Sequence, residues 1–231
     1  MTISPRVFLA VVLLAVTVLA QSNPQSESEE PPTEQELLEV RRAAEQGSAA
    51  AQFYLGTMHD RGKSVPQSYT EAAKWYRMAA EQGDADAQKY LGYLYDTGQG
   101  VPQDYLEAAK WFRMSAEQGE ATAQSQLAGL YANGKGVPQD YAEAVKWNRK
   151  AAEQGEADAQ ARLAAGYALG QGVPQDYVHA HMWANLVAAG STGEKQKKIA
   201  EFRDAIAAMM TPEQIAEAQR LAREWKPNTA K

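Results

Sequence analysis

KWYRMAAEQGDADAQ begins at Lys74, KWFRMSAEQGEATAQ at Lys110 and KWNRKAAEQGEADAQ at Lys146. Neighbouring copies agree at 11 of 15 positions and are spaced by 36 residues. Self-similarity at such a period marks a stacked repeat, in which each unit is too small to bury its apolar face alone. The same step governs the flanking sequence. VPQ(D/S)Y recurs from Val65, Val101, Val137 and Val173. Trp75, Trp111, Trp147 and Trp183 keep the spacing, as do Gly47, Gly83, Gly119 and Gly155.

Each repeat reads as two helices. Asp104, Asp140 and Ser68 stand where a side chain accepts the free amides of a first turn, and Glu107, Glu143 and Glu71 follow three residues later, which predicts capping boxes. His179 takes the glutamate's place in the fourth repeat. The Val-Pro before each cap stops the preceding helix. Gly83, Gly119 and Gly155 fit left-handed C′ positions, and Asp84, Glu120 and Glu156 open the helix that follows. Ala87, Gln88, Leu91 and Tyr95 form a stripe on the first helix, and Ala108, Trp111 and Ser115 on the second.

The segments AQxxLGxxY, GxGVPQDY and AxxWxxxAAEQG resemble the Sel1-like repeat family, relatives of the tetratricopeptide repeat. The resemblance runs over residues 33–190 and implies an all-α fold, a right-handed α-solenoid of antiparallel helix pairs. Four repeats are expected near 48–83, 84–119, 120–155 and 156–190, preceded by one helix, eleven helices of about 13 residues in all. Residues 191–231 read as capping helices, with Thr211, Pro212 and Gln214 opening the last.

The N-terminus reads differently. Residues 7–20, VFLAVVLLAVTVLA, are short for a bilayer span and fit a secretory signal, cleaved after Ala20; the rival reading is an uncleaved membrane anchor. Residues 21–32 read as a flexible acidic tether. Over the 231 residues the net charge is −6, and most of the acidic excess lies before residue 37. That balance excludes a broadly basic nucleic-acid binder. The absence of cysteine excludes disulfides, thiol catalysis, cysteine zinc sites and acylation as a lipoprotein.

Candidate chemistry is sparse. The GxG connectors follow a helix and precede Val-Pro, so they read as loop geometry rather than phosphate cradles. His179 and His181 point about 200° apart on one helix and cannot share an ion. His59 occupies a repeat tyrosine position and reads as a packing or partly exposed side chain. Gln52, Gln88, Gln124 and Gln160 form a polar ladder that reads as turn-holding. No catalytic, cofactor or metal site is expected.

Variable positions carry the functional signal, because fold-keeping residues repeat and specificity residues vary. Phe53, Tyr54, Tyr90 and Tyr93, with Tyr76 and Phe112, gather aromatics in the first two repeats. In tetratricopeptide-like arrays the first helix lines the groove, so the resemblance places the first four on or near it as partner anchors; the alternative is that they fill gaps between helices. The expected function is a non-enzymatic adaptor in a periplasmic or secreted setting, with a protein or peptide partner and, after signal cleavage, no stable membrane insertion. The alternatives are a peptidoglycan-binding structural protein and, on the resemblance to cysteine-rich members, a β-lactam-related hydrolase.

Overall fold

The computed structural model describes residues 33–228. Among them every regular element is helical. The order is α1 (Glu34–Glu45), α2 (Ala49–Arg61), α3 (Tyr69–Glu81), α4 (Ala85–Thr97), α5 (Tyr105–Glu117), α6 (Ala121–Asn133), α7 (Tyr141–Glu153), α8 (Ala157–Leu169), α9 (Tyr177–Gly190), α10 (Gly193–Ala207) and α11 (Pro212–Glu224). The eleven helices among the described residues match the number expected for the repeats and their caps. The leader 1–20 and the tether 21–32 lie outside the described residues.

The chain divides into two compact units, Met1–Trp111 and Phe112–Lys231. In the first, α2 packs on α1 and α3, and α3 on α4. In the second, α7 packs on α6 and α8, and α9 gathers α8, α10 and α11. Alanines allow this close approach: Ala44, Ala72, Ala79 and Ala87 are fully buried in the first unit, and Ala123, Ala151, Ala159 and Ala180 in the second. Larger side chains then fill the seams, Leu55 and Leu91 in one unit, Leu127 and Leu163 in the other.

The turn within each pair of consecutive repeats is built as its sequence predicts. Gly83 has φ +96°, its amide donates to Ala80 O, and the Asp84 amide donates to Ala79 O. These two bonds satisfy carbonyls the helix end would otherwise leave open. Asp84 is at once the end of that motif and the cap of α4, its carboxylate accepting from the Ala87 amide at 2.8 Å. Glu120 and Glu156 do the same for Ala123 and Ala159.

The second helix of each repeat departs from the expected capping box. Asp104 accepts from the Glu107 amide at 3.1 Å, but its own amide donates to Tyr95 O at 3.0 Å. Asp140 and Ser68 likewise give their amides to Tyr131 O and His59 O. With that donor taken by the preceding helix, the glutamate has nothing to reach back for. It turns outward to a lysine instead: Glu71 to Lys74 at 2.6 Å, Glu107 to Lys110 at 3.6 Å, Glu143 to Lys146 at 2.9 Å. Full capping boxes form at the chain's outer helices, Thr33 with Glu36 and Thr211 with Gln214.

The connector glycines are steric necessities. A Cβ on Gly100 would stand 2.2 Å from the Tyr69 carbonyl carbon, and one on Gly172 2.1 Å from Tyr141 O. Ser64, which replaces the equivalent glycine, still adopts φ +65°. The connector glutamine has a role the motif did not reveal. Gln67, Gln103, Gln139 and Gln175 each donate Nε2 to a carbonyl seven residues back, at 2.7–2.8 Å, closing the loop on its helix.

Candidate functional site

The polar ladder is structural. Gln52, Gln88, Gln124 and Gln160 are buried and donate Nε2 to the carbonyls of Ala44, Ala80, Ala116 and Ala152, each eight residues back across the turn, at 2.9–3.2 Å. Gln196 continues the series to Ala188 O at 3.3 Å. Gln82 and Gln154 donate in turn to the Oε1 of Gln52 and Gln124. Every member therefore holds backbone that would be costly to leave unpaired.

The candidate aromatics of the first unit separate into layers. Tyr76, on α3, is fully buried. Tyr90, on α4, stacks on it with centroids 5.4 Å apart and planes 17° apart. Phe53, on α2, tilts against both at 5.8 Å. Phe53 and Tyr90 stay half-buried, so the trio has one floor and two surface rings. Gly56 makes room: a Cβ there would lie 2.5 Å from Tyr76 Cδ1. Tyr54, next on α2, packs on the cluster of Val40, Ala44, Leu55 and Met58. Tyr93 is half-buried on α4. Phe112 lies in the second unit and is 1% exposed. The structure thus joins Phe53, Tyr76 and Tyr90 directly, sets Tyr54 on a separate flank, and puts Tyr76 and Phe112 in the core.

The electrostatics around the trio are mixed. Lys89 stands 5.1 Å from the Tyr90 ring centre and pairs with Asp86 at 2.6 Å. Burial pushes the Asp60 carboxyl above its ordinary range, against the pull of Arg61. Burial, with the Asp60 charge and Tyr90 adding to it, raises the Tyr76 phenol far above its ordinary value. Its hydroxyl is buried without a hydrogen-bond partner.

The histidines take separate places. His179 bonds Asp176 at 2.7 Å at the exposed start of α9 and stacks on Tyr167. His181 is 3% exposed on another face of the same helix. His59 is half-buried, with Nδ1 unpartnered. Among the described residues no three acidic or histidine side chains are grouped to hold a metal ion.

The Sel1 repeat matches four times, at residues 49–84, 85–120, 121–156 and 157–190. The chain belongs to the Sel1-repeat family. The crystal structure of a Sel1 repeat protein from Oxalobacter formigenes superposes with a TM-score of 0.72 at 30% identity, over 94% of this chain and 88% of that one. The c5321 protein, described as a protective antigen of uropathogenic Escherichia coli strains with an SLR fold, gives a TM-score of 0.56 at 29% identity, over 92% of this chain and 52% of that one. No curated protein matches the chain. Sel1 repeats are non-catalytic scaffolds that generally serve protein–protein interaction. Among the described residues no helix of this member is long and apolar enough to cross a membrane.

Sequence reasoning missed a second feature of this Sel1-repeat chain, a cleft in the second unit lined by α7, α9 and α11. Its signal was present. Where the first three repeats carry a glutamate–lysine pair, the fourth has His179 and Met182.

Proposed function

We propose that this chain is an adaptor outside the cytoplasm that takes a protein or peptide partner on the aromatic face of its first unit. The observation that carries this reading is the layering of Phe53 and Tyr90 over Tyr76. Rings held from beneath lose little freedom on binding, which is what makes aromatic anchors effective. Tyr93 adds a half-buried ring on α4, and Tyr54 one on the flank of α2 that packs on α1. The extracytoplasmic setting rests on the apolar run of residues 7–20 after Arg6.

The test is capture on immobilised protein from the extracytoplasmic fraction of the source cell, comparing wild type with a Tyr54→Ala, Tyr90→Ala variant of equal helical content. A partner held by the wild type and lost by the variant supports the adaptor. The same partners on both proteins would remove these rings from the binding face. Co-sedimentation of both proteins with cell-wall sacculi, and no protein capture, would favour the glycan alternative.

A further inference from the structure

Each second helix is joined to the helix that follows it by the same two contacts in the first three repeats. An arginine donates to a tyrosine hydroxyl of the next helix: Arg77 to Tyr95, Arg113 to Tyr131 and Arg149 to Tyr167. One turn before each arginine stands a buried apolar residue, Ala73, Ala109 or Val145. Val145 looks onto the following helix, since its Cγ2 lies 3.6 Å from where a Cβ on Gly166 of α8 would stand.

The joint between α9 and α10 departs at both positions. α10 keeps the register of a fifth repeat, with Gln196 in the place of Gln160. Asn185 stands at the arginine position and Arg203 at the tyrosine position, and they meet only at 3.5 Å, the limit of a hydrogen bond. His181 stands at the apolar position, 3% exposed, with Nδ1 buried and without a hydrogen-bond partner. The rest of α10 is lightly held. Ile206 is its one buried residue, and Thr192 gives its start no side-chain cap. Its bond from Lys195 to Asp158 at 3.0 Å is an exposed ion pair, which adds little. Elements with so few buried contacts open at a lower free energy than the whole domain.

The charges around His181 favour a neutral ring in the closed joint. From α10, Arg203 and Asp204 act on it, and these two already bond each other at 2.8 Å. The other charged residues of α10 are exposed. On α8, Asp158 is taken by Lys195, Arg162 by Ser125 and Tyr167 by Arg149. On α11, Glu217 and Glu224 bond Arg220, while Glu213 and Arg223 are exposed. On α9 itself, His179 is exposed and bonds Asp176. Burial, with Arg203 adding to it and Asp204 opposing, therefore holds the imidazole below its ordinary range. Once α10 lifts away the ring meets water and accepts a proton in the ordinary way.

We propose that the α9–α10 joint is an acid-released clasp: with His181 neutral α10 stays docked, and as the pH falls α10 detaches and uncovers the face of α9 on which it packs. Opening takes up one proton, so below about pH 6.5 the ratio of open to closed joint rises by up to about tenfold per pH unit. Above that pH it is constant.

The test is hydrogen exchange of the full chain at pH 7, 6 and 5, read by mass spectrometry with the intrinsic exchange rate at each pH divided out. Peptides from residues 193–207 should lose protection by at least about threefold between pH 7 and 5, while those of α7 hold theirs. His181→Val, which copies Val145, should make the protection of α10 independent of pH. The comparison of α10 with α7 in the wild type stands by itself, and a thermal melt shows whether the variant is folded. Protection of α10 that is absent at pH 7, that stays level on acidification, that falls only in step with α7, or that still falls in folded His181→Val would each overturn the proposal.

Discussion

In the first unit, positions 53, 76 and 90 hold Phe53, Tyr76 and Tyr90, packed ring on ring. Two repeats later the same positions hold Ser125, Asn148 and Arg162. There Arg162 Nη1 donates to Ser125 O at 2.6 Å and to its Oγ at 2.7 Å. The guanidinium lies over Gly129, where a Cβ would make ordinary contact at 3.7 Å from Cζ. The helices, caps and glutamine ladder are alike in both units, so the backbone is one frame carrying two surfaces. One is built of aromatic rings. The other closes on itself through hydrogen bonds. The small residue beneath changes in step, Gly56 under Tyr76 and Ala128 at the equivalent position in the repeat with Asn148.

The largest break in this comparison is removal of the floor. Tyr76→Ala should cost about 3–5 kcal/mol in denaturant unfolding, the range for deleting a large buried ring. Trp111→Ala, a change at a buried ring of the repeated stripe, falls in the same range. A loss under about 1 kcal/mol for either would contradict the packing described.

Next in size is Gly56→Ala, which forces a methyl into the Tyr76 ring and should cost about 1–3 kcal/mol. Combined with Tyr76→Asn, which copies the second unit, the same change should cost less or become stabilising. Additive effects of the two substitutions would mean that residues 56 and 76 do not constrain each other.

How much of this was legible depends on the range of the interaction. Gly83 and Asp84 were readable as a helix end and a helix start because their bonds close within five residues. The capping box at Asp104 was misread because its amide is taken by Tyr95, a partner delivered by the fold of the connector. The ladder's class was readable from recurrence, but the carbonyl target of Gln88 lies across a turn. Among the aromatics, the sequence marked the set and not the layers. Tyr76 and Phe112 face inward because of helix phase, while Phe53 and Tyr90 remain at the surface. The cleft was hidden because α11 returns to pack on α9, outside the period of 36.

A smaller effect is expected in the second unit. Arg162→Ala removes both bonds to the buried Ser125 and should cost about 1–2 kcal/mol by chemical denaturation. No change would mean that the polar closure is incidental to the frame.

The smallest effect is a pH slope. Burial holds the His181 imidazole below its ordinary value, helped by Arg203 and opposed by Asp204. Above about pH 6.5 both folded and unfolded states keep it neutral, and it contributes no slope. As the pH falls below that value the unfolded chain takes up a proton that the folded chain refuses. Stability then declines, by at most about 1.4 kcal/mol per pH unit, until the folded group titrates. His181→Gln should remove that component from melts collected between about pH 5 and 7. An unchanged slope would assign the acid sensitivity to other groups.

The contrast between the two surfaces is tested most directly by photo-crosslinking in the source cell. A photoreactive residue is placed in turn at Thr57, Tyr93, Gly129 and Ala165, one position followed through four repeats. A partner seated on the aromatic face predicts adducts of one mass from positions 57 and 93 and none from 129 and 165. Adducts from all four, or from 129 and 165 alone, would contradict it.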